Sequence, residues 1–520
     1  MTQSVGTKVV RNALSVFLGR VWFVVMGLAL TPLLLGGLGK EVYGVWVVVD
    51  AVGRTVSLLD FGFGTSFVKH VAEYDARGDR AGVNAVFSAG LLFYTGVALL
   101  LASAALLAVE PLLTIFSIPE ALRPEARMAL RIAIAASGCA NFMAVHQSII
   151  NGLQRMEITN AIMVGISLAF LVGCVIVVQG GYGVTGIAVS QLVTQVIGIA
   201  ASMHFARRVE PSLRFSVEGI RQKGRHLFYF GLNVHLSNVA AIVNANFDKF
   251  LLSRWLGATQ VAYYDVGTRA PATARSFAMV MLATLTPAAS EVETRHGPEG
   301  FYALYERASR YVALVAFPLF IGVAVASRPL IEAWIGTGYE AAISVLAILC
   351  VGYLCSSFAG AVSPFAQGMG WPQCQRNAET LSLAVNVVAS AGLLLQFGFL
   401  GAPIGTSIAM TVASAYYLYS FHQKLDRPLL PFLRRTALKP VACSILAAGA
   451  GAAAHELLAL RVPSGRLGAL LVLVAMGTAF ASAYGLAILK SGHLDADESN
   501  QLLGYLSAAW RWHNKNEEDE

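Results

Sequence analysis

Charge is scarce in this chain. Of its 520 residues 13% are charged and 56% are hydrophobic, with a mean hydropathy of +0.63. Nothing is left over for a large soluble domain, because apolar runs of about 20 residues recur from end to end, and roughly 30 Å of hydrocarbon at 1.5 Å per residue needs that length. Cysteine is scarce too. Cys139, Cys174, Cys350, Cys355, Cys374 and Cys443 lie in or beside the apolar runs, where they read as small hydrophobes and not as a disulfide framework. No Cys/His group has metal-ligand spacing, so no metal and no cofactor are expected. There is no G-x-S-x-G, no Walker A and no H-E-x-x-H, which argues against an enzyme. Without a nucleotide site, the energy for any transport comes from an H+ or Na+ gradient, the membrane potential or mass action. The first apolar run is too long for a signal peptide and is followed by no clear small-residue cleavage site.

What is present is a set of fourteen expected transmembrane helices, near 13–37, 43–65, 84–109, 128–151, 158–178, 183–206, 228–250, 260–287, 311–327, 341–366, 378–398, 402–422, 437–459 and 467–489. The net charge of +7 does not point to nucleic acid, because it is concentrated in loops on one side. Arg207, Arg208, Arg214, Arg221, Lys223 and Arg225 form one rich segment, and Lys424, Arg427, Arg434, Arg435 and Lys439 form another. This positive-inside bias orients both termini toward the cytoplasm and leaves the basic loops beside anionic headgroups.

The chain repeats itself. Leu38-Gly39 is followed by Gly44 and Trp46, and Leu256-Gly257 by Ala262 and Tyr264 at the same spacing, an offset of 218 (39 to 257). Gly152 matches Gly368, and Gly183-x-x-Gly186 matches Gly398-x-x-Gly401, at offsets of 216 and 215. The expected organisation is an N-lobe at 1–210 (spans 1–6) and a C-lobe at 226–424 (spans 7–12). Spans 13–14 follow at 425–490, and a polar cytoplasmic tail at 491–520. Six spans per half keep one topology, so an axis along the membrane normal relates the lobes, with a substrate site between them. The string Gly181-Tyr182-Gly183-Val184-Thr185-Gly186 fits a dinucleotide pattern, but it lacks a preceding strand and a βαβ unit and reads as a tight extracellular turn.

Five cations sit inside apolar segments: Arg20, Arg54, Lys249, Arg269 and Arg275. Each costs roughly 2.5–3.5 kcal/mol on insertion scales, so together they would cost on the order of 12–18 kcal/mol if they faced lipid. They therefore face protein or a wet cavity, and a cationic cavity suits an anion. Asp50 and Arg54 are four apart, as are Asp265 and Arg269, so each pair shares a helix face. Two readings stand: an internal ion pair that neutralises its own cost, or an arginine held in rotamer for an anionic ligand, whose two phosphate oxygens match the guanidinium fork. Polar stripes recur. One carries Asn233, Ser237, Asn244 and Asp248; another Gln375, Glu379, Ser382, Asn386 and Ser390; a third Ser137, Asn141, Ser148 and Asn151, with His146 nearby. Singly such residues are interhelical glue; as a set they favour a polar cavity. Asp60, Asp248 and Lys249 each fit a gate, a cation site or a packing device. His146 fits a proton carrier or a packing residue. Glu379 is the acidic candidate for ion coupling in the second half.

The strings LGKEVYGVWVVVD (38–50), LLDFGFGTSFVKHVAEYDARGD (58–79) and NFDKFLLSRWLGATQVAYYDVGTR (246–269) resemble bacterial polysaccharide-export flippases, the O-antigen-type lipid-linked oligosaccharide translocases. These belong to the multidrug/oligosaccharidyl-lipid/polysaccharide exporter superfamily, with the lipid II flippases and the MATE drug antiporters. The resemblance implies two six-helix lobes around a cavity open alternately to each side, and a polyprenyl-pyrophosphate-linked oligosaccharide as substrate. It also implies membrane lipids, a polysaccharide polymerase and other assembly proteins as partners. Lipid II flippases use cavity arginines in spans 1, 2 and 8, to which Arg20, Arg54 and Arg269 correspond in type. The expected ligand-facing set is Arg20, Asp50, Arg54, Asn141, His146, Asn233, Asn244, Asp265, Arg269 and Arg275, with Asp60, Asp248, Lys249 and Glu379 for gating or ion coupling. Two alternatives remain: a MATE-type cation-coupled drug antiporter, and a non-transporting membrane scaffold of a polysaccharide assembly complex.

Overall fold

A computed structural model describes residues 5–56, 63–216, 243–244, 246–280, 285–459, 461–462 and 465–493. Asp60 and Asn233 lie outside the described residues, and Arg20 is placed by its backbone alone. Among the described residues the regular structure is helical, with no strand. The first helices are α1 (Val5–Leu38), α2 (Lys40–Val56), α3 (Phe63–Ala76), α4 (Arg80–Ile115), α5 (Arg123–Gly152), α6 (Met156–Gly180) and α7 (Gly183–Val209). The helical stretch 246–256 is α8. Then come α9 (Ala258–Val280), α10 (Leu285–Val325), α11 (Ser327–Trp334), α12 (Glu340–Ala359), α13 (Val362–Gly368) and α14 (Pro372–Phe397). The last are α15 (Gly401–Lys424), α16 (Leu429–Thr436), α17 (Leu438–Ala459) and α18 (Arg466–Lys490).

Hydrocarbon cannot hydrogen-bond a free backbone group, which is why these apolar runs are helices. Their hydroxyls follow the same rule: Thr31 donates to the Gly27 carbonyl at 2.9 Å and Ser148 to the Ala144 carbonyl at 2.8 Å, both one turn back. Large apolar side chains stand on the outside. Leu107 is 80% exposed, a surface that suits lipid and not water. Ten stretches among the described residues are long and apolar enough to cross a membrane. This is a multi-pass membrane protein. The fourteen expected spans and these ten differ at particular elements. The helix α2 has only 17 residues, most of 228–250 lies outside the described residues, and α9 carries Asp265, Arg269 and Arg275 within 23 residues. Pro372–Lys424 counts once although it holds both α14 and α15.

The repeat is written in the backbone as well. Left-handed residues close turns at Gly39 (φ 79°), Gly78 (φ 69°), Ser117 (φ 49°), Gln154 (φ 61°) and Gly183 (φ 59°). Their counterparts are Gly257 (φ 86°), Gly297 (φ 67°), Gly336 (φ 113°), Gly370 (φ 70°) and Gly398 (φ 58°), at offsets of 218, 219, 219, 216 and 215. Only Gly takes this conformation without a Cβ penalty. Gly39 and Gly257 each end a helix by donating back to it, to Leu35 and Leu252 at 3.1 Å. The 181–186 string is a helix–helix turn: Gly181 (φ 67°) caps α6, and Gly183 opens α7.

The chain forms two compact units, Met1–Arg269 with Arg376–Val412, and Ala270–Gln375 with Ala413–Glu520. In the first, α5 packs against α2, α3, α4 and α7. Gly152 lies so close to α3 that a Cβ there would meet Val71 at 2.6 Å. In the same unit, a Cβ on Gly44 of α2 would fall 1.9 Å from the Ala258 carbonyl at the start of α9, so only glycine admits that approach. The second unit has an aromatic core: Tyr305 stacks on Phe432 at 4.9 Å and meets Phe365, Phe421 and the His422 ring. Within it α17 packs along α18, and α18 along α11.

Candidate functional site

The close approach of α2 and α9 at Gly44 sets Tyr43 beside Asp265. The Tyr43 hydroxyl donates to Asp265 Oδ2 at 2.8 Å, and both residues are buried. Lys249 of α8 reaches the other oxygen, Nζ to Oδ1 at 2.8 Å. Arg269, one turn along α9, holds Oδ2 through Nη2 at 2.9 Å, and the same nitrogen donates to the Tyr43 hydroxyl at 3.2 Å. One carboxylate therefore anchors two cations, and the knot carries a formal charge of +1. It is not sealed: the Arg269 side chain is 35% exposed, against 8% for Asp265. Beside it α1 offers bare backbone, for a Cβ on Gly27 would sit 3.7 Å from Arg269 Nη1. Arg20 stands seven residues before Gly27, two turns back along the same helix.

The companion pair on α2 behaves differently. Arg54 Nε meets Asp50 Oδ2 at 2.7 Å, while the Arg54 side chain is 71% exposed and Asp50 21%. The two Asp/Arg pairs, alike in the sequence, are thus an exposed pair and a more deeply buried knot with an additional cation.

A second polar group lies on α8, α9, α14 and α15. Asp248 is 2% exposed. Its Oδ2 accepts from the Thr406 hydroxyl at 2.6 Å and the Tyr264 hydroxyl at 2.8 Å, while Oδ1 has no hydrogen-bond partner among the described residues. Among the described residues no Lys, Arg or His pairs with it. The chain of contacts continues outward: Thr406 to Asn386 Oδ1 at 3.3 Å, Ser390 to Asn386 Oδ1 at 2.7 Å, Asn386 Nδ2 to Asn244 Oδ1 at 2.9 Å and Asn244 Nδ2 to Ser382 at 3.2 Å. An unpaired buried carboxylate is costly in its ionised form. Ringed by hydroxyl and amide oxygens, it is chemically fit for a proton or a hard monovalent cation.

Among the described residues no hydrogen bond joins Asn141, His146 or Glu379 to either group. Asn141 is buried on α5, and its Nδ2 has no hydrogen-bond partner among the described residues. His146, also on α5, is buried, with Nδ1 3.0 Å from the Phe142 carbonyl and its ring edge-on to Phe87 at 5.4 Å. Glu379 and Arg275 are half-buried on α14 and α9. The sequence assigns no site role to Tyr43, Tyr264 or Thr406. Tyr43 and Tyr264 are next to the Leu-Gly landmarks, and that neighbourhood was the available signal; Thr406 had none.

Solved structures share this fold. The lipid II flippase MurJ, in an inward closed conformation, superposes with a TM-score of 0.72 over 92% of this chain and 98% of its own, at 14% identity. An inward-facing MATE family multidrug transporter of the MOP superfamily does so with 0.65 over 78% of this chain and 98% of its own, at 18% identity. The class is an all-α membrane transporter fold of the MurJ and MATE type. Within it, the chain belongs to the polysaccharide biosynthesis protein family, which matches residues 38–344. A Haloferax volcanii protein named as a low-salt glycan biosynthesis flippase is 21% identical over 53% of this chain, which spans 57% of that relative's length. A Shigella flexneri protein named as an O-antigen transporter is 21% identical over 72% of this chain and 88% of its own.

Proposed function

We propose that this protein is a flippase that carries a polyprenyl-pyrophosphate-linked oligosaccharide across the bacterial cytoplasmic membrane by alternating access, with both termini in the cytoplasm, and that it is not an enzyme. The observation that carries the reading is the Asp265 knot, in which two cations share one carboxylate and Arg269 stays partly exposed. Burying an unpaired phosphate charge in hydrocarbon costs tens of kcal/mol by Born estimates. Arg269, the exposed Arg54 and Arg20 supply the compensating charge, and the glycan uses the amides and hydroxyls nearby. The family description and the names of the two relatives support a glycan carrier. A cation exporter, whose fold the chain also shares, needs carboxylates in excess; at this knot cations are in excess. The partners are the lipid-linked glycan, membrane lipids, a polysaccharide polymerase and other assembly proteins.

Coupling falls to Asp248. A proton or Na+ arriving at Oδ1, which has no hydrogen-bond partner among the described residues, relieves the cost of the buried charge, so occupancy and lobe movement exchange free energy. Glu379 and Asp60 remain candidates for the same cycle.

The test is glycan export in cells and headgroup flipping in proteoliposomes for Arg269→Gln, Lys249→Gln and Arg54→Gln at matched expression. Arg269→Gln is expected to lower flipping by roughly tenfold or more, the scale of one charge-assisted hydrogen bond of ~1.5–3 kcal/mol. Normal flipping by all three would refute anion capture.

A further inference from the structure

The second unit holds a cavity of about 820 Å³ that the transport reading does not use. Arg307 and Arg310 enter it from α10, Arg434 and Arg435 from α16, and Lys439 from α17. Among the described residues Glu306 is the one lining carboxylate, 3.8 Å from Arg435, so five cations there face one acid. Three elements of distant sequence converge because Phe432 of α16 is stacked on Tyr305 of α10, and Thr436 is buried beneath. That anchoring fixes Arg434 and Arg435, two and three residues after Phe432, against the α10 arginines three residues apart. Apolar side chains stand next to the cations. Leu430 is 61% exposed one turn before Arg434, and Leu438 is 60% exposed beside Lys439. A soluble anion would have no use for these leucines. An amphiphile with a phosphate head and hydrocarbon tails matches both surfaces, since guanidinium forks grip phosphate oxygens and exposed leucines accept acyl chains.

We infer that this cavity is a binding site for the phosphate headgroup of an anionic phospholipid, bound at the basic face of the membrane apart from the transported substrate. Arg307 and Arg310 of α10 line it together with Arg434, Arg435 and Lys439, and Leu430 and Leu438 border the acyl chains.

The full-length protein is reconstituted in nanodiscs of phosphatidylcholine with a minor fraction of phosphatidylglycerol, and retained lipid is read by native mass spectrometry. Wild type is expected to retain phosphatidylglycerol selectively. The triple variant Arg310→Gln, Arg434→Gln, Arg435→Gln is expected to retain it roughly a hundredfold less, since ~1 kcal/mol per basic residue at a membrane surface comes to about 3 kcal/mol for three and about 1.4 kcal/mol is tenfold. The triple Lys variant keeps the charge and distinguishes loss of the site from loss of fold, recovering part of the retention. Arg207→Gln, Arg208→Gln removes two exposed charges from α7 and is expected to retain lipid as wild type does. Equal losses in that control and the triple variant would overturn the site in favour of diffuse surface charge. Inorganic phosphate or pyrophosphate that displaces the lipid at equal molar concentration would overturn the lipid assignment in favour of a soluble anion. Flipping assays on the same variants report separately on transport, which the inference leaves unaffected in its substrate chemistry.

Discussion

Asp248 and Asp265 sit seventeen positions apart in one chain, and their surroundings could hardly differ more. Asp265 is compensated twice over by Lys249 and Arg269, whereas Asp248 is met by the Thr406 and Tyr264 hydroxyls and, among the described residues, by no cation. The amide of Asp248→Asn keeps the shape and removes the charge. It is expected to leave the protein folded and to abolish the response of flipping to an imposed H+ or Na+ gradient, measured in proteoliposomes with each gradient in turn. A wild-type gradient response in that variant would remove Asp248 from coupling. Both acids were visible in the sequence as charges inside apolar runs, and Arg269 was visible through its i, i+4 spacing. Tyr43 was not, because its partner lies 222 residues away and a tyrosine in an apolar helix carries no sign of what it touches. Thr406 was hidden for the same reason: its hydroxyl meets Asp248 from 158 residues away.

At the scale of the helix, the decisive residue has no side chain. Gly44 lets α2 lie against the Ala258 carbonyl, and Lys40 of α2 adds a bond to the Tyr263 hydroxyl at 3.0 Å. Gly44→Leu forces the helices apart. It is expected to lower the melting temperature, by an overpacking cost of about 1–3 kcal/mol or more, and to reduce export by loosening the Tyr43–Asp265 bond. Gly96→Ala on α4, where a Cβ meets nothing within 4 Å, is the matched control and is expected to leave melting unchanged or raised. Melting followed by tryptophan fluorescence in detergent reads both, and equal melting of Gly44→Leu and wild type would disprove the close approach. The landmark Gly39-to-Gly44 was legible as half of a repeat. Its purpose was not, because periodicity tells which residues recur and not which backbone they admit.

At the scale of the molecule, membership of the family and the all-α transporter fold were legible from the apolar runs and the three strings that carry the resemblance. The doubled turns were legible only as glycines; Ser117 and Gln154 take the same left-handed conformation without announcing it. The charge bias fixes the expected sidedness. In a background with the six cysteines replaced by alanine, Tyr182→Cys, in the α6–α7 turn, is expected to react with a membrane-impermeant maleimide added to intact cells. Gln423→Cys, at the end of α15, is expected to react only after permeabilisation. The opposite labelling pattern would invert the orientation.

The double engagement of Asp265 has a last consequence. A lone arginine that salt-bridges a lone aspartate must abandon it, uncovering a bare negative charge, before it can greet an incoming anion. In the proposed capture cycle, Lys249 on the other oxygen would keep the acid covered while Arg269 turned toward an anion. On that proposal the knot would lend out one grip and keep the other at each round.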